Sequence, residues 1–236
     1  MEPLLKVEGL NAWYGRAQIL FGVDLEVARG EVVALMGRNG AGKSTTLKAI
    51  MGLVERMSGE LNFRGQTLGG REPFEVSRMG LGYVPEDRRI FTELTVLENL
   101  EVGRQSVRGG APSWTPQKLF RIFPNLGELR DRPGGRMSGG EQQMLTVART
   151  LMGNPHLVLL DEPSEGIAPK IVEDMANMIL ELKQEGLSVV LSEQNLHFAR
   201  LVSDRAYVIE KGHIRFRGGL AELEDNEQVK REYLSV

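Results

Sequence analysis

The stretch Gly37-Arg38-Asn39-Gly40-Ala41-Gly42-Lys43-Ser44 follows directly on the apolar run Val32-Val33-Ala34-Leu35-Met36. No other junction in the chain constrains its fold as strongly. Five consecutive apolar residues read as a strand buried on both faces, the mark of a largely parallel sheet. The glycine-rich stretch matches G-x-x-x-x-G-K-[ST], whose glycines let successive backbone N–H groups turn around an anion. Gly37, Arg38, Asn39, Gly40, Ala41 and Gly42 would form the cradle, with Lys43 reaching the β- and γ-phosphates and Ser44 offering its hydroxyl to Mg²⁺. Thr45 opens the helical run to Met51, whose positive dipole end would face the phosphates. A chance glycine-rich turn would lack this strand before it and this helix after it.

Two further apolar runs, Leu157-Val158-Leu159-Leu160 and Val189-Val190-Leu191, have the same character. Between them Ile171, Met175, Met178, Ile179 and Leu182 keep helical spacing over about residues 169–185, with Gly186 at the stop. Buried strands alternating with amphipathic helices predict an α/β fold. At the N-terminus Leu5, Val7 and Gly9 alternate with charged neighbours, and Val23, Leu25 and Val27 alternate likewise, which predicts antiparallel strands. Two short strands, Ala206 to Ile209 and His213 to Phe216, and a charged helix are expected to close the chain.

From about residue 92 the pattern becomes helical. Thr95…Glu98 and Ser138…Glu141 both fit the capping box, and Thr115-Pro116 is a third helix start. We read residues 92–153 as a helical insertion in a core formed by about 1–91 and 154–236. Residues 101–150 hold eight basic and four acidic side chains, the composition of a solvated helical face. Residues 103–116 are expected to be an exposed loop.

Composition removes several chemistries. With no cysteine and only three histidines, at 156, 197 and 213, thiol nucleophiles, disulfides and His-rich metal sites are not expected. A net charge of −3 argues against affinity for nucleic acid based on overall charge. The longest aliphatic runs fall far short of the ~20 residues of a membrane span, and the N-terminus has no apolar core of a signal peptide. A soluble chain, docked on any membrane by another protein, is the expectation.

The carboxylate that a phosphate loop needs is supplied by Asp161, at the carboxyl end of the second buried run. Glu162 points the other way and is placed to polarise a water. Ser138, Gly139, Gly140 and Glu141 form a second anion-facing helix start. Two such sites in one chain suggest two subunits closing head-to-tail over nucleotide.

The phosphate loop, Met137-Ser138-Gly139-Gly140-Glu141-Gln142-Gln143 and Leu159-Leu160-Asp161-Glu162-Pro163, in that order, resemble ABC ATPase subunits along essentially the whole chain. The resemblance implies a P-loop core with an antiparallel β subdomain and a helical insertion, bound ATP and Mg²⁺, and Tyr14 stacked on adenine. Tyr83-Val-Pro-Glu-Asp-Arg-Arg-Ile-Phe91, Asp161-Glu-Pro-Ser-Glu-Gly-Ile-Ala-Pro169 and Ser192-Glu-Gln-Asn195 are similar to the LivF-type subunits of branched-chain amino-acid importers. The first is also similar to urea-type relatives.

Two positions depart from the general family pattern. Glu86 stands for the Q-loop glutamine, keeping an oxygen ligand for Mg²⁺, and Gln194 stands for the switch histidine. Gln194 still donates to a γ-phosphate but takes up no proton near neutral pH. His197 reads as a surface helix residue.

The resemblance implies an ATPase whose second subunit is LivG-like or another copy of this chain. Two permease subunits would complete the assembly at the cytoplasmic face of a bacterial inner membrane, fed by a periplasmic binding protein. The permease would dock against Glu86 to Phe91 and the helix after Thr95, with Arg88 and Arg89 as charged contacts. A urea or amide importer and a non-transport ABC regulatory module are the alternatives. A P-loop kinase would leave Ser138 to Glu141 without a role.

Overall fold

A computed structural model describes residues 2–234. The order of elements alternates as the sequence pattern predicts. β1 (Leu5–Tyr14) and β2 (Ala17–Val27) form an antiparallel ribbon, and β3 (Val32–Met36) leads into α1 (Lys43–Ile50). β4 (Arg56–Phe63), β5 (Gln66–Thr67), α2 (Pro73–Arg78) and β6 (Leu81–Val84) follow. Four helices come next: α3 (Val96–Gly103), α4 (Pro116–Ile122), α5 (Pro124–Glu128) and α6 (Gly139–Leu151). The chain then returns to the core with β7 (Leu157–Asp161), α7 (Pro169–Gln184), β8 (Ser188–Glu193) and α8 (Leu196–Val202). It ends with β9 (Arg205–Glu210), β10 (His213–Gly219), α9 (Leu220–Asp225) and α10 (Glu227–Tyr233).

Two sheets result, ordered β2-β1-β4-β5 and β10-β9-β3-β8-β7-β6. The second is parallel from β9 to β6 and antiparallel only at β10. Its central strands explain their own sequences. Val32, Ala34 and Met36 pack with the helices on one side, whereas Val33 and Leu35 pack against the antiparallel sheet on the other. Val158 and Leu160 face the first side, and Leu157 and Leu159 the second. A strand covered on both faces favours apolar side chains at consecutive positions, polar ones being kept to its ends.

Both capping boxes form, with Thr95 accepting from Glu98 N and Ser138 from Glu141 N. Gly186 takes φ 87° just past α7, where a left-handed residue ends the helix. The charged C-terminal helix is two short ones, α9 and α10.

The loop over 103–116 departs from expectation. Its stretch 104–107 is exposed, but Trp114 is only 2% exposed and belongs to the helical core. Asn154 accepts from Trp114 N at 2.7 Å and donates to Gln105 O at 2.8 Å, pinning both ends of the loop. Arg108 donates to the carbonyls of Ser77, Arg78, Gly153 and Asn154. Trp114→Ala should therefore destabilise the fold by about 3 kcal/mol, the cost of deleting a buried aromatic. Urea unfolding monitored by circular dichroism checks it, and a loss below ~1 kcal/mol would mean the loop is as loose as its sequence suggests.

Candidate nucleotide site

Register brings the site together. β8 lies between β3 and β7, pairing Met36 with Glu193 and Asp161 with Ser192. The carboxyl ends of three adjacent strands therefore present the phosphate loop, Gln194 and the Asp161–Glu162 pair to one crevice. Gly37 N donates to Glu193 O at 3.2 Å, fastening the start of the loop to β8.

Within the loop, Gly42 caps α1 at φ 116°, and a Cβ there would lie 2.9 Å from Leu20 Cδ2. Only glycine satisfies both conditions. Lys43 is 3% exposed. Its ammonium donates to Gly37 O at 2.9 Å and Arg38 O at 3.1 Å, and pairs with Glu162 Oε1 at 2.9 Å. A buried ammonium so placed is stabilised only by oxygen partners. Thr45 is buried, while Arg38, Asn39 and Gly40 lie exposed on the rim.

Asp161 is 1% exposed and accepts three hydroxyl bonds, from Ser44 at 2.9 Å, Ser192 at 2.8 Å and Tyr83 at 3.0 Å. Burial, then the Asp161 charge, pushes the Tyr83 hydroxyl far up, so it remains a donor. Ser44 Oγ beside Asp161 Oδ1 is an all-oxygen donor set, which fits Mg²⁺ completed by phosphate oxygens and water.

Glu162 sits in the left-handed region at φ 46°, a strained setting for a residue with a Cβ. Its backbone N–H is held by Ser192 Oγ at 2.9 Å. Gln194 Nε2 donates to Glu162 Oε2 at 3.4 Å and to Asn39 Oδ1 at 2.6 Å. The switch position thus touches both the carboxylate and the phosphate loop. His197 is exposed on α8.

Two cavities flank these groups. One, of about 420 Å³, is lined by Tyr14, Ile19, Asn39, Gly40, Gly42, Lys43, Ser44, Thr45, Glu86, Glu162 and Glu165. The other, of about 440 Å³, is lined by Tyr14, Tyr83, Glu86, Arg89 and Asp161 among others. Tyr14, 47% exposed, and Glu86 border both. Ser138, Gly139, Gly140 and Glu141 line neither. They begin α6, where Glu141 accepts from Ser138 N at 2.7 Å.

Two residues alter the sequence reading. Arg88 does not line the groove beside Arg89 and Phe91. Its guanidinium lies against Gly139, where a Cβ would come within 2.7 Å of Nη1, so the missing side chain makes the room. Glu165 was absent from the sequence-derived site because only the turn joining Glu165 N to Glu162 O at 3.2 Å returns it to the cavity.

Glu165, exposed at the rim, and Glu162 have interacting carboxyls. The bond to Glu162, then burial and the nearby Glu162 and Glu86 charges, raises Glu165 to about 7. For Glu162, burial favours the neutral form but is outweighed by the bonds from Glu165 and Lys43, so its value is lowered. A raised acid binds its proton more tightly when folded. Its contribution is complete below the ordinary 4.5 and lost as pH rises through about 7. Glu162 contributes in the opposite sense, fully above the ordinary 4.5 and less as pH falls through its lowered value. Glu165→Gln should thus flatten the decline in nucleotide-free melting temperature across that window. Equal slopes for variant and wild type in a pH series at fixed ionic strength would contradict the interaction between the two carboxyls.

Similarity to known proteins agrees with this geometry. Residues 20–165 match the family model described as ABC transporter. The chain is 41% identical to the high-affinity branched-chain amino acid transport ATP-binding protein BraG of Pseudomonas aeruginosa, over 98% of this chain and 99% of that one. It is 34% identical to the lipopolysaccharide export system ATP-binding protein LptB of Haemophilus influenzae, over 98% and 97%. A nucleotide-free ATP-binding cassette from an ABC transporter superposes with TM-score 0.81 at 30% identity, covering 95% of this chain and 94% of that one. A phosphate loop, an acidic strand end and a capped Ser-Gly-Gly-Glu helix, on a fold matched end to end, identify the chain as a member of the ABC transporter family, an ATP-hydrolysing cassette.

Proposed function

We propose that this chain energises an ABC importer for branched-chain, hydrophobic amino acids. The observation that carries this reading is the 41% identity to BraG along nearly the full length of both chains. The chain would act as half of a head-to-tail ATPase pair, with a LivG-like subunit or a second copy of itself. Two permease subunits and, indirectly, a periplasmic binding protein complete the assembly at the cytoplasmic face of the inner membrane. Among the described residues no helix is long and apolar enough to cross a membrane, so attachment through permeases is the route we infer.

The chemistry is transfer of a phosphoryl group to water, in which positioning and charge neutralisation supply most of the rate. The backbone of residues 37–42 and Lys43 bind the phosphates, and Tyr14 stacks on the base. Ser44 and Asp161, with Glu86 at the rim, hold Mg²⁺, which when bound offsets the phosphate charge. Glu162 orients the water and takes its proton, and Gln194 holds Glu162 and the γ-phosphate in register. Ser138 to Glu141, standing clear of this chain's own cavities, complete the partner's site.

Permease docking falls to the groove of about 450 Å³ lined by Ser77, Arg89, Phe91, Val102, Arg149 and Pro155 among others. The 34% identity to LptB supports a second reading, export of a lipid-linked substrate. Gene deletion separates the two. Loss of leucine uptake, restored by wild type and not by Glu162→Gln, supports import. Unchanged uptake with an envelope defect would favour export, and unchanged uptake without one would favour a regulatory role.

A further inference from the structure

Tyr83 reaches the site from outside the phosphate machinery. β6 is the edge strand of the main sheet and pairs Tyr83 with Leu159, two residues before Asp161 on the same face of β7. The side chain leans along the strand and places its hydroxyl 3.0 Å from Asp161 Oδ2. Gly82 before it leaves space that a Cβ would lose to Thr150 Cγ2, 2.7 Å away, so β6 lies close against α6.

Tyr83 has a second surface. It lines both the groove of about 450 Å³ and the cavity beside Asp161, together with Arg89. Phe91 and Arg149 also line the groove, the guanidinium carbon lying 5.2 Å from the Phe91 ring centre. One side chain therefore borders the space where we place the permease and also fixes one oxygen of the candidate metal carboxylate.

We propose that Tyr83 is a positioning residue that sets the orientation of Asp161 for the divalent cation and transmits to it the occupancy of the groove. This rests on the reading of Asp161 as a metal ligand and of the groove as the docking site. Ser44 and Ser192 both donate to Oδ1, which leaves Tyr83, among the described residues, as the one hydroxyl donor on Oδ2. Without it the carboxylate turns about its Cβ–Cγ bond. Removing a donor also frees a lone pair, which by itself would favour a cation. Orientation prevails because Mg²⁺ demands near-ideal octahedral geometry. An element seated against the ring moves the hydroxyl, and with it Oδ2.

Tyr83→Phe keeps the ring and deletes only the bond. Mn²⁺, as a paramagnetic substitute for Mg²⁺, is titrated by electron paramagnetic resonance in the presence of a non-hydrolysable ATP analogue. The titration uses the isolated subunit and the complex with its permease subunits. The variant should bind Mn²⁺ roughly 10- to 100-fold more weakly, the usual effect of losing a partner of a metal ligand. Nucleotide affinity in EDTA should stay unchanged. The shift in Mn²⁺ affinity between isolated and assembled wild type should disappear in the variant. Mn²⁺ affinity within two-fold of wild type, or a full assembly shift in the variant, would overturn the proposal. Asp161→Asn distinguishes the two levels. If it leaves Mn²⁺ binding intact, the metal-site reading fails; if it abolishes binding while Tyr83→Phe does not, only the role of Tyr83 fails.

Discussion

Glu162→Gln should lower ATP turnover by roughly 10²–10⁴-fold, the usual contribution of a positioned general base, while ATP still binds. The amide keeps the size of the carboxylate and one oxygen for Lys43, 2.9 Å away. It has no basicity to accept a proton from water. Binding should even tighten, because the charge that holds Lys43 in the nucleotide-free chain is removed. An ATP-stabilised pair of subunits should accumulate and be visible by size-exclusion chromatography. Hydrolysis within a few-fold of wild type in the assembled transporter would remove Glu162 from the catalytic role.

Lys43→Ala should act twice. Losing charge-assisted hydrogen bonds to the phosphates should weaken ATP binding roughly 10- to 100-fold, read by titration with a fluorescent ATP analogue. Lys43 also has a structural role, because Lys43 and Glu162 form an ion pair only 2% and 8% exposed. Removing one partner strands the other charge, so the nucleotide-free chain should lose about 3 kcal/mol. In the double variant Lys43→Ala/Glu162→Gln the stranded charge is gone and most of that loss should be recovered. A double variant no more stable than Lys43→Ala would show that the pair carries no coupling energy.

What could be read in advance follows from where the information lies. β3, β7, β8 and α7 announce themselves because burial on two faces or one helical stripe leaves a local imprint on residue type. The phosphate loop is local for the same reason. β4 leaves little trace, since four of the eight positions of Arg56–Phe63 are exposed and Arg56, Ser58 and Glu60 interrupt its apolar residues. Trp114 looked like part of a polar loop, because its anchor Asn154 lies 40 residues away. Glu165 and Tyr83 join the site through a turn and a strand register, neither of which residue types encode by themselves. The sequence places Arg88 and Arg89 together at the docking groove. At φ 61° and 50° both sit in the left-handed region, and there the adjacent side chains part, one to the Ser138 helix start and one to the groove.

On the proposed function, ATP hydrolysed at Lys43, Asp161 and Glu162 is expected to drive amino-acid import. The most direct measurement reconstitutes this chain with its partner ATPase, permease subunits and binding protein in proteoliposomes. Radiolabelled leucine is then followed with ATP on the face that carries the ATPases. Leucine should accumulate against a gradient, strictly dependent on ATP, and accumulation should be lost with Glu162→Gln in this chain. ATP hydrolysis at wild-type rate with no leucine accumulation, or accumulation that survives Glu162→Gln, would contradict the proposed function.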